Sequence, residues 1–458
     1  YICYDCVNEY HLKTIIKKEG FIVKCSYCGN DYLEGVLLSY FVDKIDIAFE
    51  QHYIRSSEYP PENWSIYKIK NSDFWEPDGM PVIEAIMDAA EIDEEIAADI
   101  QQILAERYYD RSAAEIGETT DFNNETFYDT KNPEDLDWQL QWANFEHVLK
   151  TSTRFFNKNN EELLKSVFQK IEFLNTHDEK PVVRIIGPET DITHIYRARA
   201  FQSDFKLKSA LETPDKELGP PPSQFATAGR MNARGITVFY GSINSETALA
   251  EIRPPVGCKV AVARFELKRL LKVLDLSALN YTHANGSIFD EDYANELSRI
   301  MFLRKLSQRM TKPVMPDDEH SEYLATQFIA DFLASELKFD GIIFPSAQFK
   351  KGLNVTLFHS ASRVVSLEYP EGTNITVSLI EYDDEGVLPN YTVSVSFPKK
   401  KIKDNDSNPA WCDLPGIDWE SKDLDLREKT LSIDVDSIKV EHIDSIQIKS
   451  TGFDVNWT

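Results

Sequence analysis

No run of this chain is apolar for long enough to cross a bilayer. The longest, such as VLLSYFV at 36–42, reach only about a third of the ~20 residues that a spanning helix needs. No charged-then-apolar segment stands at the start, so neither a membrane anchor nor an export signal is expected. Positive charge is in deficit, with 49 Lys and Arg against 76 Asp and Glu and a formal net charge of −27. Such a chain repels phosphate backbones, which removes nucleic acid from the expected partners unless a local basic patch gathers. Cysteine is scarce, six in 458 residues, too few for a disulfide scaffold at this length.

What is present is a globular composition, 42% hydrophobic and 27% charged, at a length that implies two or three domains. Four of the cysteines stand as two CxxC pairs, Cys3 and Cys6 in CYDC and Cys25 and Cys28 in CSYC, eighteen residues apart. Paired knuckles of this kind supply tetrahedral thiolate ligation, and four sulfurs leave no open position, so a structural zinc ion is expected. The alternative for these pairs is disulfides, which an oxidising compartment would require. Cys258 and Cys412 have no partner by spacing. The picture is cytoplasmic. Acid is concentrated between Glu84 and Glu106, eight Asp and Glu with no Lys or Arg, a solvated helix face or a docking surface for a basic partner.

Residues 1–36 are expected to form the zinc module, dependent on its metal. Residues 37–176 read mainly as helices. Ile83, Ile86, Ile96, Ile100 and Ile103 recur at helical spacing, as do Leu164, Val167, Ile171 and Leu174. Trp138, Trp142, Phe145 and Val148 mark another apolar helical face. From 177 the texture turns mixed. PVVRIIG, ITHIYRARAF, GITVFYG, KVAVARFEL, DGIIFPS and NVTLF read as strands. SETALAEI reads as a short helix, and DYANELSRIMFLRKLSQ and SEYLATQFIADFLASEL as longer ones. TNITVSLIEY and YTVSVSF alternate as antiparallel strands do, and SIKVEHIDSIQIK reads as two terminal strands. The fold class is α+β.

Six residues of the mixed half carry chemistry that fits one ligand. The guanidiniums of Arg197 and Arg230 can clamp a diphosphate. Gly229 lets backbone approach a ligand closely, and Tyr240 offers a stacking face with a polar tip. The carboxylate of Glu251 can stabilise an oxocarbenium-like transition state at a ribose carbon, with the Ser346 hydroxyl orienting the ribose or an incoming phosphate. Against this, a lone arginine is more often a surface or ion-paired side chain, and Glu251 stands near enough to Arg253 for a local pair worth under ~1 kcal/mol. Residue chemistry alone stops at an α+β protein that binds a phosphorylated ligand.

YRARAF, PPPSQFATAGRMN, VFYGSINSETALAEI and FDGIIFPSAQFKKGLNVTLF, in that order, resemble the RES family, named for its Arg, Glu and Ser. The likeness covers about residues 181–360 and the terminal strands from about 434. It implies an ADP-ribosyltransferase-like mixed sheet with flanking helices, and NAD+ as substrate. The activity it implies is that of a toxin held by an antitoxin, cleaving the nicotinamide–ribose bond by hydrolysis or by phosphorolysis to nicotinamide and ADP-ribose 1″-phosphate, with inorganic phosphate as co-substrate. On the same resemblance Arg197 and Arg230 grip the phosphates, and Tyr240, Glu251 and Ser346 fill the family's aromatic, acidic and serine positions. Asn354 also matches, without an assigned role, and Arg199 takes the place of Arg197 if the alignment slips by two. An insertion at about 362–433 departs from the family and covers the pocket or decorates an edge.

The first half is similar to zinc-plus-helical segments related to HEPN domains. The stretches after Arg107, Arg111 and Arg154 lack the closely following His that RNA cleavage needs, so this half is expected to regulate, oligomerise or sense. The competing expectations are ADP-ribosyl transfer to a macromolecule, a non-catalytic nucleotide sensor, and a zinc ribbon that contacts nucleic acid.

Overall fold

The computed structural model describes residues 1–57, 77–115, 117–152, 157–383, 386–398, 425–447 and 450–455. Arg154, Cys412 and much of the 362–433 insertion lie outside them. The chain divides into two compact units, residues 1–140 with 283–302, and residues 141–282 with 303–458.

In the first unit, three short strands, Ile2–Cys3, Glu34–Val36 and Phe21–Ile22, form a small antiparallel sheet with Glu34–Val36 in the middle. The helix Tyr10–Glu19 is closed at its start by Glu9, whose side chain accepts from the Leu12 amide. Three further helices follow, Leu38–His52, Val82–Ala90 and Glu94–Arg107. The isoleucine periodicity is the reason they pack: Ile86, Ile96 and Ile100 are buried beside Phe41, Ile45 and Phe49. The last helix has Glu94 and Glu95 in its first turn and Arg107 in its last, matching its dipole. Arg107 reaches Asp43 and Asp46, both at 2.7 Å. All eight acids from Glu84 to Glu106 are exposed.

The second unit is built on an eight-stranded sheet. In chain order its strands are β1 (Val183–Ile186), β2 (His194–Phe201), β3 (Phe239–Ser242), β4 (Lys259–Leu267), β5 (Leu271–Asp275), β6 (Gly341–Pro345), β7 (Leu353–Leu357) and β8 (Leu431–His442). Across the sheet they run β8-β4-β2-β3-β7-β6-β5-β1. Every adjacent pair is antiparallel except β5 and β6, so the sheet is mixed. Four of its helices frame the sheet and the cavity below, α1 (Asp204–Glu212), α2 (Ser245–Glu251), α3 (Tyr293–Thr311), of which the part from Leu303 belongs here, and α4 (Glu319–Ser335).

Strand alternation sorts β4 onto two faces. Ala261, Ala263 and Phe265 join the large cluster that includes Leu207 and Leu211 of α1, whereas Val260 and Val262 pack with Leu249 and Ile252 at α2. The sheet and its helices agree with the α+β expectation.

One expectation changes here and one is met. The chain end is one twelve-residue strand, β8, and 443–447 form no second strand; 448 and 449 lie outside the described residues. The alternating stretch after 366 forms a hairpin, Asn374–Asp383 with Gly386–Ser396, that stays off the main sheet. Its Val377 is buried in the α1-side cluster, and Tyr391 meets His442 at the end of β8 edge to face. The hairpin therefore decorates the β8 edge, and none of its described residues lines the cavity below.

The four N-terminal cysteines converge. Their sulfurs all lie within 4.8 Å of one another, with Cys3–Cys28 at 3.5 Å and Cys3–Cys6 and Cys6–Cys25 at 3.7 Å. A tetrahedral ion with ~2.3 Å bonds to sulfur puts ligands about 3.8 Å apart, whereas a disulfide needs about 2.05 Å. The donor set fits a thiolate-held zinc ion and not a pair of disulfides. Among the described residues no helix is long and apolar enough to cross a membrane.

Candidate active site

Glu251 is the last residue of α2, where a carboxylate opposes the helix dipole. The helix is held in place independently of it. Asn244 caps the start by accepting from the Thr247 amide at 2.8 Å, and Thr247 and Ala248 are buried against the sheet. Gly352 makes that docking possible, because a Cβ there would stand 2.4 Å from Thr247 Oγ1. The carboxylate is offset by two neutral donors. Glu251 Oε1 accepts from Ser346 Oγ at 2.5 Å and from Asn354 Nδ2 at 2.9 Å. Asn354 is 6% exposed and is itself oriented by Ser242, whose hydroxyl donates to Asn354 Oδ1 at 2.7 Å. β3 and β7 set this pair, since Asn354 and Ser242 are direct partners in their register.

Glu251 faces a cavity of about 440 Å³ between the ends of β2, β3 and β6, the end of α2 and the start of α4. Arg197, Gly229, Arg230, Tyr240 and Asn354 also line it. Ser346 reaches it through Glu251. The structure thus brings together Arg197, Gly229, Arg230, Tyr240, Glu251, Ser346 and Asn354. Arg199 stays outside, exposed and paired with Glu217 at 3.1 Å.

Neither Arg197 nor Arg230 has a carboxylate partner among the described residues. Arg197 donates to the Tyr240 carbonyl at 2.8 Å and stands 5.0 Å from the centre of the Phe239 ring. Burial, with Arg199 adding repulsion, pushes its guanidinium down to about 10, so it remains a cation at neutral pH. Arg230 donates to the Met310 carbonyl at 2.7 Å and faces the Tyr323 ring at 5.6 Å. Two cations held by neutral groups leave their charge for an anionic ligand.

Tyr240 and Gly229 do something the sequence did not announce. The Tyr240 hydroxyl donates to Asn232 Oδ1 at 3.0 Å and accepts from the Met231 amide at 3.1 Å. Burial raises it to about 12, so it stays protonated. Gly229 admits that hydroxyl: a Cβ there would stand 2.7 Å from Tyr240 Oη and 2.6 Å from Asn232 Oδ1. The glycine's close approach is therefore to the tyrosine, and the pair locks the turn that presents Arg230.

α4 supports the same turn, Thr326 donating to the Arg230 carbonyl at 2.7 Å and Gln327 to the Gly229 carbonyl at 2.8 Å. These supports were missed in the sequence, where α4 shows only its apolar periodicity. Arg253, also on the cavity wall, was read there as a neighbour of Glu251 and no more.

Among known proteins, the model of the RES domain matches residues 194–379. No curated protein matches the chain. A solved chain in the crystal structure of the M. tuberculosis MbcT–MbcA toxin–antitoxin complex is similar at 11% identity, over 43% of this chain and 82% of that one, with a TM-score of 0.22, a level at which the likeness carries no argument. Every residue of the Glu251 cavity named above lies inside the span that matches the RES domain, residues 194–379.

Proposed function

We propose that the second unit cleaves NAD+ at the nicotinamide–ribose bond, as a toxin-type enzyme kept in check by an antitoxin. The observation that carries this reading is a carboxylate fixed by Ser346 and Asn354 in the same cavity as two guanidiniums without acidic partners.

In this reading Arg197 and Arg230 hold the diphosphate, and Tyr323 and the apolar Val314 and Phe344 give the rings surfaces to rest on. Glu251 presents Oε2, which takes no hydrogen bond among the described residues, toward the ribose. As the bond to nicotinamide lengthens, positive charge grows on C1″ and the ring oxygen, and a fixed carboxylate favours that charge without having to reorient. Ser346 and Asn354 donate to Oε1 only, so they aim the carboxylate and leave its other oxygen open. Their roles are those of positioning residues.

The family's substrate and its toxin character support the choice of NAD+ over other dinucleotides. The first unit is read as a HEPN-like, non-nuclease regulator built around a structural zinc ion, and its thiolate ligands and a dinucleotide substrate both belong to the cytoplasm. The test is incubation of the purified full chain with NAD+, following both NAD+ and free nicotinamide. Equimolar loss and release is the expected result. Radiolabel from the adenylate appearing on protein or nucleic acid would instead mark a transferase, and an unchanged NAD+ pool would refute the reading.

A further inference from the structure

The cavity holds a second carboxylate that bond cleavage does not use. The charged residues among those lining it are Arg197, Arg230, Glu251, Arg253 and Glu319. Glu319 is half-buried and opens α4, where a carboxylate suits the helix dipole. Helix stability alone would leave its direction open, but here the side chain is aimed. The Tyr323 hydroxyl, one turn further on, donates to Glu319 Oε1 at 3.0 Å. Burial and then that bond raise the hydroxyl above its ordinary value, so it stays protonated and keeps donating. Glu319 pairs with no Lys or Arg among the described residues, and its Oε2 takes no hydrogen bond there.

Contacts order the cavity wall from Glu251 to Glu319. Ser346 and Asn354 hold Glu251. Tyr240 ties Arg197, through its carbonyl, to the turn that presents Arg230, through its hydroxyl. The Arg230 guanidinium faces the Tyr323 ring, and Tyr323 holds Glu319. A dinucleotide with its reacting ribose at Glu251 and its diphosphate at the two arginines has its adenosine left for Tyr323 and Glu319. An ionised carboxylate can only accept hydrogen bonds. The adjacent hydroxyls of a ribose are donors that fit it. A phosphate on the 2′-oxygen removes one of those donors and sets like charge against the carboxylate.

We infer that Glu319 is a specificity-determining residue, whose carboxylate accepts from the 2′-hydroxyl of the adenosine ribose and so admits NAD+ in preference to NADP+. The inference rests on the NAD+-cleaving reading above and names the form of the dinucleotide that the same cavity takes. Glu319 takes no part in breaking the bond, and Tyr323 acts through it as a positioning residue.

The experiment measures kcat/KM for NAD+ and for NADP+ in wild type, Glu319→Gln and Tyr323→Phe, full chain in each case. Wild type should favour NAD+, and removing the charge in Glu319→Gln should narrow that preference roughly 10-fold or more, the scale of a hydrogen bond to a charged group. Much of the change should come as a lower KM for NADP+. Tyr323→Phe keeps the carboxylate but releases it, so it should narrow the preference less. Calorimetric titration with ADP-ribose and with its 2′-phosphorylated form reads the same discrimination without turnover. Nicotinamide hypoxanthine dinucleotide, which lacks the adenine amino group, separates the other donor that adenosine could offer. A preference unchanged in Glu319→Gln, or wild type that treats NAD+ and NADP+ alike, would overturn the assignment. So would an effect of Glu319→Gln that follows the adenine amino group in place of the 2′-hydroxyl. Turnover of neither dinucleotide would refute the cleavage reading, and the two ADP-ribose titrations would then still decide the role of Glu319.

Discussion

Ser346 Oγ lies 2.5 Å from Glu251 Oε1, and the same hydroxyl accepts from the backbone amides of Gln348 and Phe349 at 3.1 and 3.0 Å. Its lone pairs are taken by the turn, so its single proton belongs to the carboxylate. A serine so placed is committed to aiming Glu251 and has nothing left with which to attack a substrate. Ser346→Ala should lower kcat roughly 10- to 100-fold with little change in KM, the signature of an interaction that matters only as charge develops. Steady-state kinetics on NAD+ decide it, and a mutant that changed KM alone would contradict the role.

Arg197 gives a prediction about ligand and pH together. It is held half-buried as a cation with only a carbonyl and an aromatic ring for company. Arg197→Met should keep the fold and abolish the rise in Tm that wild type shows with ADP-ribose, measured by thermal shift. The sign in pH follows from the lowered guanidinium, at about 10 against an ordinary 12.5. Burial of the cation costs the folded state at neutral pH, and that cost shrinks as pH climbs from about 10 toward 12.5. Affinity for the diphosphate moves the opposite way and should fall as pH passes about 10, because the deprotonated side chain no longer attracts phosphate.

Gly229 and Tyr240 should behave as a coupled pair. Gly229→Ala forces a methyl against the Tyr240 hydroxyl and the Asn232 amide oxygen, a clash expected to cost ~1–3 kcal/mol of stability. Tyr240→Phe removes one of the two obstacles, so the double mutant should lose less than the sum of the single losses. A denaturation cycle measures this coupling. Strict additivity would mean that the turn yields in some other way.

The cysteine cluster predicts about one zinc ion per chain by elemental analysis. Cys28→Ser should release it, and a strong chelator should melt the surrounding module, visible as lost amide protection around Ile2, Leu12 and Ile16, which are buried beside it. Full metal loss with unchanged protection would contradict a structural role.

How much of this was legible in the sequence depended on the range of the interaction. The CxxC pairs and the isoleucine spacing are local signals, and the structure realises both. Glu251 and Ser346 stood out by chemistry and resemblance, but the contact between them spans 95 residues and no spacing announces it. Tyr240 was read as a stacking surface because side-chain type says nothing about where its hydroxyl goes; in the fold it braces Asn232. Strand β5, LKVLD, was passed over because five residues between longer elements give too short an alternation, yet it makes the sheet's parallel pair with β6. The final stretch was split into two strands because its apolar residues continue past His442, while pairing to β4 stops there.

The central claim is that a carboxylate aimed by Ser346 and Asn354 breaks the nicotinamide–ribose bond. The most direct measurement is single-turnover release of nicotinamide by wild type and by Glu251→Gln, at saturating NAD+, with the affinity for NAD+ measured alongside. Gln keeps the shape and can still accept from Ser346 and Asn354, but it carries no charge. The account predicts similar NAD+ affinity and a release rate at least ~100-fold lower, the loss expected when one fixed electrostatic group is removed from a transition state. Equal release rates at equal affinity would contradict it.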